Sequence, residues 1–124
     1  MLYAILCYGA EAKVRSLDKK ADDALMAKLG VVHQKLVDEK KLGPHFRLMT
    51  TGNAKTLRAG DVNVHDGPFA ETKEQLLGLY LVECESLDTA LETARELEVE
   101  RLRAGVGGSL EVRPLLQFFE GTTL

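Results

Sequence analysis

The sequence predicts an α+β fold in which four main strands alternate with two helices and a β-hairpin is inserted after the second strand. Three observations support this. Two long apolar runs, Met1–Tyr8 and Leu76–Cys84, have the length and composition of buried strands. Each run is followed by an amphipathic helical pattern, and turn residues divide the segment between them. The resulting order, β-α-β(ββ)-β-α-β, is that of a ferredoxin-like split β-α-β unit.

The composition is that of one folded domain. With 124 residues, of which 45% are hydrophobic and 28% charged, the chain is long enough for one core and unlike a disordered segment. Residues 1–124 are therefore predicted to form a single domain. The formal net charge of −3 gives no general attraction to phosphate backbones or anionic lipids. We expect neither nucleic acid nor membranes as partners.

The cysteines give no sign of a metal or redox site. Cys7 and Cys84 lie in apolar strand patterns and lack the CxxC or Cys/His spacing of such sites. We expect buried thiols, and no metal or cofactor. The apolar run at the N-terminus stops at Gly9 without a preceding basic segment, which is too short for a signal peptide or a membrane span. We expect a cytoplasmic protein.

The first strand is apolar on both alternating faces, which is typical of a strand that is covered on both sides. The helices of the chain can cover one face, and a second copy of the sheet is the natural cover for the other, so we expect a homodimer. After a loop at residues 9–15, Ser16 is the expected cap of a helix that runs to about Lys41. Gly43-Pro44 is expected to end it.

The first helix carries a buried stripe with 3-4 spacing, formed by Leu25, Leu29, Val32 and Leu36. His33 lies at the margin of this stripe. A histidine in such a place is more often a packing residue than a catalytic one, and the pattern leaves both roles open.

The segment that follows has the pattern of a meander. Its predicted strands are Phe46–Thr51, Ala54–Arg58 and Val62–His65, separated by turn residues. Residues 71–75 have the pattern of one helical turn, and Gly78 is expected to mark a close approach of two backbones.

The C-terminal part predicts a second helix and a last strand. Ser86 is the expected N-cap, the buried face comprises Leu87, Ala90, Leu91, Ala94 and Leu97, and the solvated charged face includes Arg101. Gly105–Gly108 is expected to be a flexible connection before the strand Ser109–Phe119.

The segment from His65 to Glu74 has more polar side chains than a plain connection requires. Gly67 permits a positive φ and Pro68 fixes its own φ, so a tight turn is expected, with Asp66 accepting backbone N–H groups from residues 69–71. Asp66 is also the first candidate for chemistry. A histidine oriented by a carboxylate is a proton-transfer pair near neutral pH, and His33 and His65 are the candidate partners.

The run Asp66–Glu74, Asp-Gly-Pro-Phe-Ala-Glu-Thr-Lys-Glu, resembles the signature of the DGPF group of YCII-related proteins. The resemblance extends through most of the chain and includes the opening strand, Gly78-Leu79-Tyr80, Leu87–Leu91 and Gly108–Pro114. It implies a ferredoxin-like fold with a ligand pocket, assembled as a dimer whose sheets pack face to face into an α/β barrel-like body.

The resemblance also implies site residues. YCII-related proteins are associated with a proposed His/Asp pair whose histidine comes from the first helix. The matching position here is Leu29, and His33 lies one turn later. Arg58 resembles the arginine that precedes the hairpin turn in the DGPF group, and is the candidate for binding an anionic group of a substrate.

The leading functional hypothesis is a small-molecule pocket with general acid/base catalysis by Asp66, His33 and His65 and substrate binding by Arg58. The alternative is a non-catalytic binding or regulatory module. The resemblance supports this alternative because DGPF proteins are often encoded beside sigma factors of the extracytoplasmic-function type.

Overall fold

The computed structural model describes all residues of the chain, 1–124. Four strands form an antiparallel sheet in the order β2-β5-β1-β6, and two short strands, β3 and β4, form a separate hairpin. The order of the main sheet is that of a ferredoxin-like fold, as predicted. The strands are β1 (Leu2–Gly9), β2 (Leu42–Arg47), β3 (Lys55–Leu57), β4 (Val64–Asp66), β5 (Gln75–Glu83) and β6 (Leu110–Pro114), and the helices are α1 (Glu11–Arg15), α2 (Lys19–Asp38) and α3 (Leu87–Arg103).

The core lies between one face of the sheet and the helices α2 and α3. Alternate residues of β1 point to this face and are buried, namely Tyr3, Ile5 and Cys7. Ile5 and Leu97 are almost completely buried, and the burial of each side chain contributes roughly 2 kcal/mol to folding. The opposite face carries Leu2, Ala4, Leu6 and Tyr8, which are only partly buried.

Helix α2 begins later and ends earlier than the sequence predicted. Asp18, not Ser16, is the N-cap, because its carboxylate accepts the Ala21 N–H at 2.7 Å. Ser16 instead ends the short helix α1, where a loop was expected. At the other end, the chain leaves α2 at Lys40, which has φ 57°, so Gly43-Pro44 lies in β2 instead of ending the helix. Proline is tolerated there because β2 is an edge strand with an irregular register.

The inserted hairpin is present as β3 and β4, but the predicted meander, in which the strand before the hairpin joins it, is wrong. Strand β2 pairs with β5, whereas β3 and β4 pair only with each other. A tertiary contact explains the difference, because the Glu11 carboxylate accepts both the N–H and the hydroxyl of Thr51, each at 2.7 Å, and ties the chain after β2 to α1. Residues 71–75 contain no helical turn.

The strand β5 and the helix α3 agree with the prediction. A methyl group at Gly78 would overlap the carbonyl oxygen of Phe46, so the expected close approach of two backbones is present. Ser86 caps α3 by accepting the Thr89 N–H. Two details were wrong: Leu87 and Leu91 are largely exposed, and Arg101 is buried.

Both cysteines are buried free thiols. No helix of the chain combines the length and the apolar character that a membrane crossing requires. Strand β6 ends at Pro114, five residues before the predicted end at Phe119, and Phe119 is exposed.

Candidate functional site

A cavity of about 130 Å³ lies between the helices α1 and α2 and the N-terminal half of β5. Most of its walls are apolar side chains from α2, β5 and neighbouring segments, including Leu25, Leu29, Leu77 and Val106. The polar groups at the walls are few: Cys7, Glu11, Arg15, Arg47, Thr50, Tyr80 and Arg101. An apolar cavity with a small number of polar groups is the usual form of a small-molecule site.

The helix α1 closes one end of this cavity. Its first residue, Glu11, is buried, its N–H donates to the Gln75 side chain, and its carboxylate oxygens are both occupied by Thr51. The carboxylate is therefore a structural acceptor. It holds α1 over the edge of the sheet, and Arg15 at the other end of the helix lines the cavity.

Beside the cavity, three rings from three elements form a cluster of His33, His45 and Tyr80. His33 comes from α2, and its Nε2 lies 2.7 Å from the Tyr80 hydroxyl oxygen. His45 of β2 is the cross-strand neighbour of Tyr80 in β5, and their rings stack with centroids 5.4 Å apart. Tyr80 is one of the residues that line the cavity, whereas His33 is not. Tyr80 therefore connects the cavity with His33.

The surroundings shift the pKa of both partners. Burial lowers the pKa of His33 below its usual value, and the neighbouring His45 lowers it further. Burial raises the pKa of Tyr80 to about 12, while the guanidinium groups of Arg101 and Arg47 act in the opposite direction. At neutral pH the pair is thus a neutral imidazole and a neutral phenol.

The tautomer of His33 sets the direction of the hydrogen bond. When the ring proton is on Nδ1, Nε2 of the neutral imidazole accepts the O–H of Tyr80, which leaves the lone pairs of the tyrosine oxygen available to a molecule in the cavity. A proton can then pass from such a molecule through Tyr80 to His33. No third His, Cys, Asp or Glu joins His33 and His45 in a group that could hold a metal ion.

Two of the arginines are fixed by the fold. Arg47 donates two N–H groups to the Asp22 carboxylate of α2, at 3.0 and 3.5 Å, and so ties β2 to that helix. Arg101 is 8% exposed, and its Nη2 donates to the Tyr8 carbonyl at 2.9 Å. Arg101 lies four residues after Leu97 on α3, so it continues the buried stripe of that helix.

The other residues predicted for the site lie together on the hairpin and do not line the cavity. Asp66 is exposed and forms an ion pair with Lys55, its cross-strand neighbour, so the predicted cap of residues 69–71 is wrong. His65 Nε2 lies 2.9 Å from the Asp61 carboxylate. This contact lowers the pKa of Asp61, after a larger effect of the Asn63 N–H.

Arg58 also bonds within the hairpin region, where its guanidinium group donates to the Phe69 carbonyl at 3.0 Å. No hydrogen bond joins the hairpin residues to His33, so the structure separates His33 from the other candidates. The sequence interpretation missed Tyr80 and Arg101 as site residues. The buried stripe of α3, extended by one turn, was the signal for Arg101, whereas the continuous apolar run of β5 gave none for Tyr80.

The fold and the site together define a small α+β protein of the ferredoxin-like class with a cavity between helix and sheet. The chain belongs to the YCII-related family, whose domain matches residues 1–118. It is 50% identical over 123 residues to the uncharacterized protein R00369 of Rhizobium meliloti (strain 1021), and the match covers 98% of this chain and 97% of the relative.

A solved structure shares the fold. It is 5-chloro-2-hydroxyhydroquinone dehydrochlorinase (TftG) from Burkholderia phenoliruptrix AC1100, in complex with 2,5-dihydroxybenzoquinone. The TM-score is 0.54 with 16% sequence identity, and the match covers 93% of each chain. At this identity the likeness establishes the common fold alone.

Proposed function

We propose that this protein binds a small organic molecule in the cavity and transfers protons to and from it through Tyr80 and His33. The observation that carries the proposal is the 2.7 Å contact between His33 Nε2 and the hydroxyl of a tyrosine that lines the cavity. An acid/base pair beside a mostly apolar cavity is a common arrangement for proton transfer at a bound compound.

The proton balance of this step is simple. The bound molecule gives a proton to the Tyr80 oxygen while the tyrosine proton moves to His33 Nε2, so that an imidazolium forms and the phenol is restored. The reverse sequence returns a proton to another atom of the molecule. The two transfers together give a tautomerisation. The first transfer, followed by departure of a leaving group with its bonding electrons, would give an elimination. Burial, and after it the neighbouring His45, lowers the pKa of His33, which keeps the imidazole neutral at pH 7 and therefore free to accept a proton.

The structural neighbour supports an enzymatic role in general terms. TftG is a dehydrochlorinase and was solved with a dihydroxybenzoquinone, a ring that carries several oxygens. Loss of HCl from a carbon compound also includes a proton transfer. We take from this that the fold accommodates a single ring and acid/base chemistry.

The test is deuterium exchange followed by NMR. A panel of monocyclic phenols, cyclic enols and 2-oxo acids is incubated in D₂O with the wild-type protein, with Tyr80→Phe and with His33→Leu. The wild type should accelerate exchange of at least one compound, and each variant should reduce that acceleration by about 10²-fold or more. Unchanged exchange in both variants would refute the proposal.

His65→Leu is the matched control. His65 also contacts a polar side chain, the carboxylate of Asp61, but it lies on the hairpin. We expect it to retain exchange. The alternative function, a binding or regulatory module without catalysis, predicts compounds that bind without any accelerated exchange.

A further inference from the structure

The guanidinium group of Arg101 is incompletely bonded inside the fold. Its Nη2 donates to the Tyr8 carbonyl, but its Nη1 is buried and makes no hydrogen bond. No other buried side-chain nitrogen or oxygen of the chain lacks a partner. Buried polar groups in proteins are nearly always bonded, so such an exception calls for a physical explanation.

The neighbouring carboxylate does not supply the missing bond. Glu98 Oε1 lies 3.4 Å from Nη1 and balances its charge, yet the geometry is not that of a hydrogen bond. Both oxygens of Glu98 accept the N–H of Gly108, at 3.2 and 3.3 Å. The Glu98 carboxylate is therefore bonded to the loop that follows α3. The Nη1 group of Arg101 is left without an acceptor.

Arg101 is also a wall of the cavity, close enough to Tyr80 for its charge to affect the tyrosine. An apolar cavity of about 150 Å³ can hold a benzene molecule, so the 130 Å³ here, in a pocket that is partly open to solvent, limits the ligand to about one six-membered ring. The apolar walls would contact the ring. Because Nη1 itself has almost no exposed surface, its bond to an oxygen of the ring requires the Arg101 side chain to turn toward the cavity.

We infer that Arg101 is a ligand-binding residue, and that the cavity takes a single-ring compound whose acceptor oxygen bonds to its guanidinium group. The inference rests on the proposed function for the place of the ligand, and adds the chemical class. Because Glu98 already balances the charge of Arg101, both a neutral carbonyl and a carboxylate qualify as the acceptor.

Three probes of similar shape test the class of ligand. Benzoate carries a charged acceptor, benzamide a neutral one, and toluene none. Calorimetric or NMR titration of the wild-type protein should give at least tenfold tighter binding of benzoate or benzamide than of toluene. Equal binding of all three, or no binding of any at millimolar concentration, would overturn the inference. Tighter binding of benzoate than of benzamide would identify the anion as the preferred form.

Variants then test the residue. Arg101→Lys keeps the positive charge but loses the planar guanidinium group with its several N–H donors. It should weaken the binding of benzoate or benzamide at least tenfold, while the affinity for toluene should change less than twofold. Arg103→Lys is the matched control, since Arg103 is an exposed residue of the same helix that pairs with Glu100. It should bind all probes as the wild type does. If Arg101→Lys does not fold, Arg15→Gln and Arg47→Gln decide, because they remove the other two guanidinium groups at the walls. They should leave the preference for benzoate or benzamide over toluene unchanged, and loss of that preference in either would overturn the inference.

The two proposals fail separately. His33→Leu should keep the benzoate affinity within threefold, because His33 does not line the cavity, and should lose deuterium exchange. Binding that depends on Arg101 without any exchange refutes the proton-transfer proposal alone. Exchange that depends on His33, with no preference for an acceptor oxygen, refutes the Arg101 inference alone.

Discussion

The contact between His33 and Tyr80 can be measured as a coupling energy. Tyr80→Phe removes one hydroxyl and keeps the ring, and His33→Leu removes the acceptor at similar size. The bond joins neutral, partly buried groups at 2.7 Å, and such a bond contributes about 1 kcal/mol net. A double-mutant cycle should therefore give a coupling of about 1 kcal/mol in the free energy of unfolding.

Urea unfolding at pH 7.5 and one fixed protein concentration is the appropriate assay, because association would otherwise shift the apparent stability. The slope of the free energy against urea should be the same in all four proteins. A coupling below about 0.3 kcal/mol would show that the hydrogen bond does not contribute, and the reasoning about proton transfer through Tyr80 would lose its basis.

For His33→Leu, the same urea assay should show a change in the pH dependence of the free energy of unfolding, and its sign follows from the pKa of His33. The pKa of His33 is lower in the folded protein than in the unfolded chain, so the unfolded chain binds its proton first on acidification. Stability contributed by His33 is present above the unfolded pKa of about 6.5 and is lost as pH falls through the folded value. The wild type should lose more stability than His33→Leu between pH 7 and pH 5.

Four further results are expected. Because burial raises the pKa of Cys7 from 9.0 to about 11, wild-type stability should fall between pH 9 and pH 11, by up to about 3 kcal/mol more than that of Cys7→Ala. Asp66→Asn and Asp66→Ala should each lose less than about 1 kcal/mol, because both break only an exposed ion pair with Lys55, and should retain deuterium exchange. Loss of exchange at unchanged stability would instead establish catalysis by Asp66. Gly78→Ala should destabilise by about 1–3 kcal/mol through overlap with β2, whereas Gly30→Ala, which has open space, should stabilise slightly in the same urea assay. Sedimentation should detect a homodimer at micromolar concentration, since β1 has apolar residues on both faces, and a stable monomer would contradict this.

Local patterns were sufficient for the elements that form the core. The apolar runs of β1 and β5, the buried stripe of α2 and the Ser86 cap each depend on residues close in sequence. The connection from β2 to the hairpin was predicted wrongly because its path depends on Glu11, which lies 40 positions before Thr51 and accepts two hydrogen bonds from it. Periodicity contains no information about such a contact.

The start of α2 shows a second kind of limit. Ser16 and Asp18 are both good N-cap residues, and sequence preference alone does not separate them. The structure does so because Ser16 is already used at the end of α1, where its hydroxyl donates to the Lys13 carbonyl. The short helix α1 thus decides where α2 begins, and five-residue helices have weak sequence signals.

The site was harder to predict than the fold for a related reason. Asp66 was favoured because its turn is locally polar and rich in Gly and Pro, but such composition is a property of turns in general. The cavity instead combines Tyr80 and Arg101, which occupy positions where apolar residues would serve packing alone. A buried arginine with an unbonded nitrogen weakens the fold unless a ligand completes it. Departures from local rules at buried positions, more than polar turns, are therefore the features that locate the candidate site in this chain.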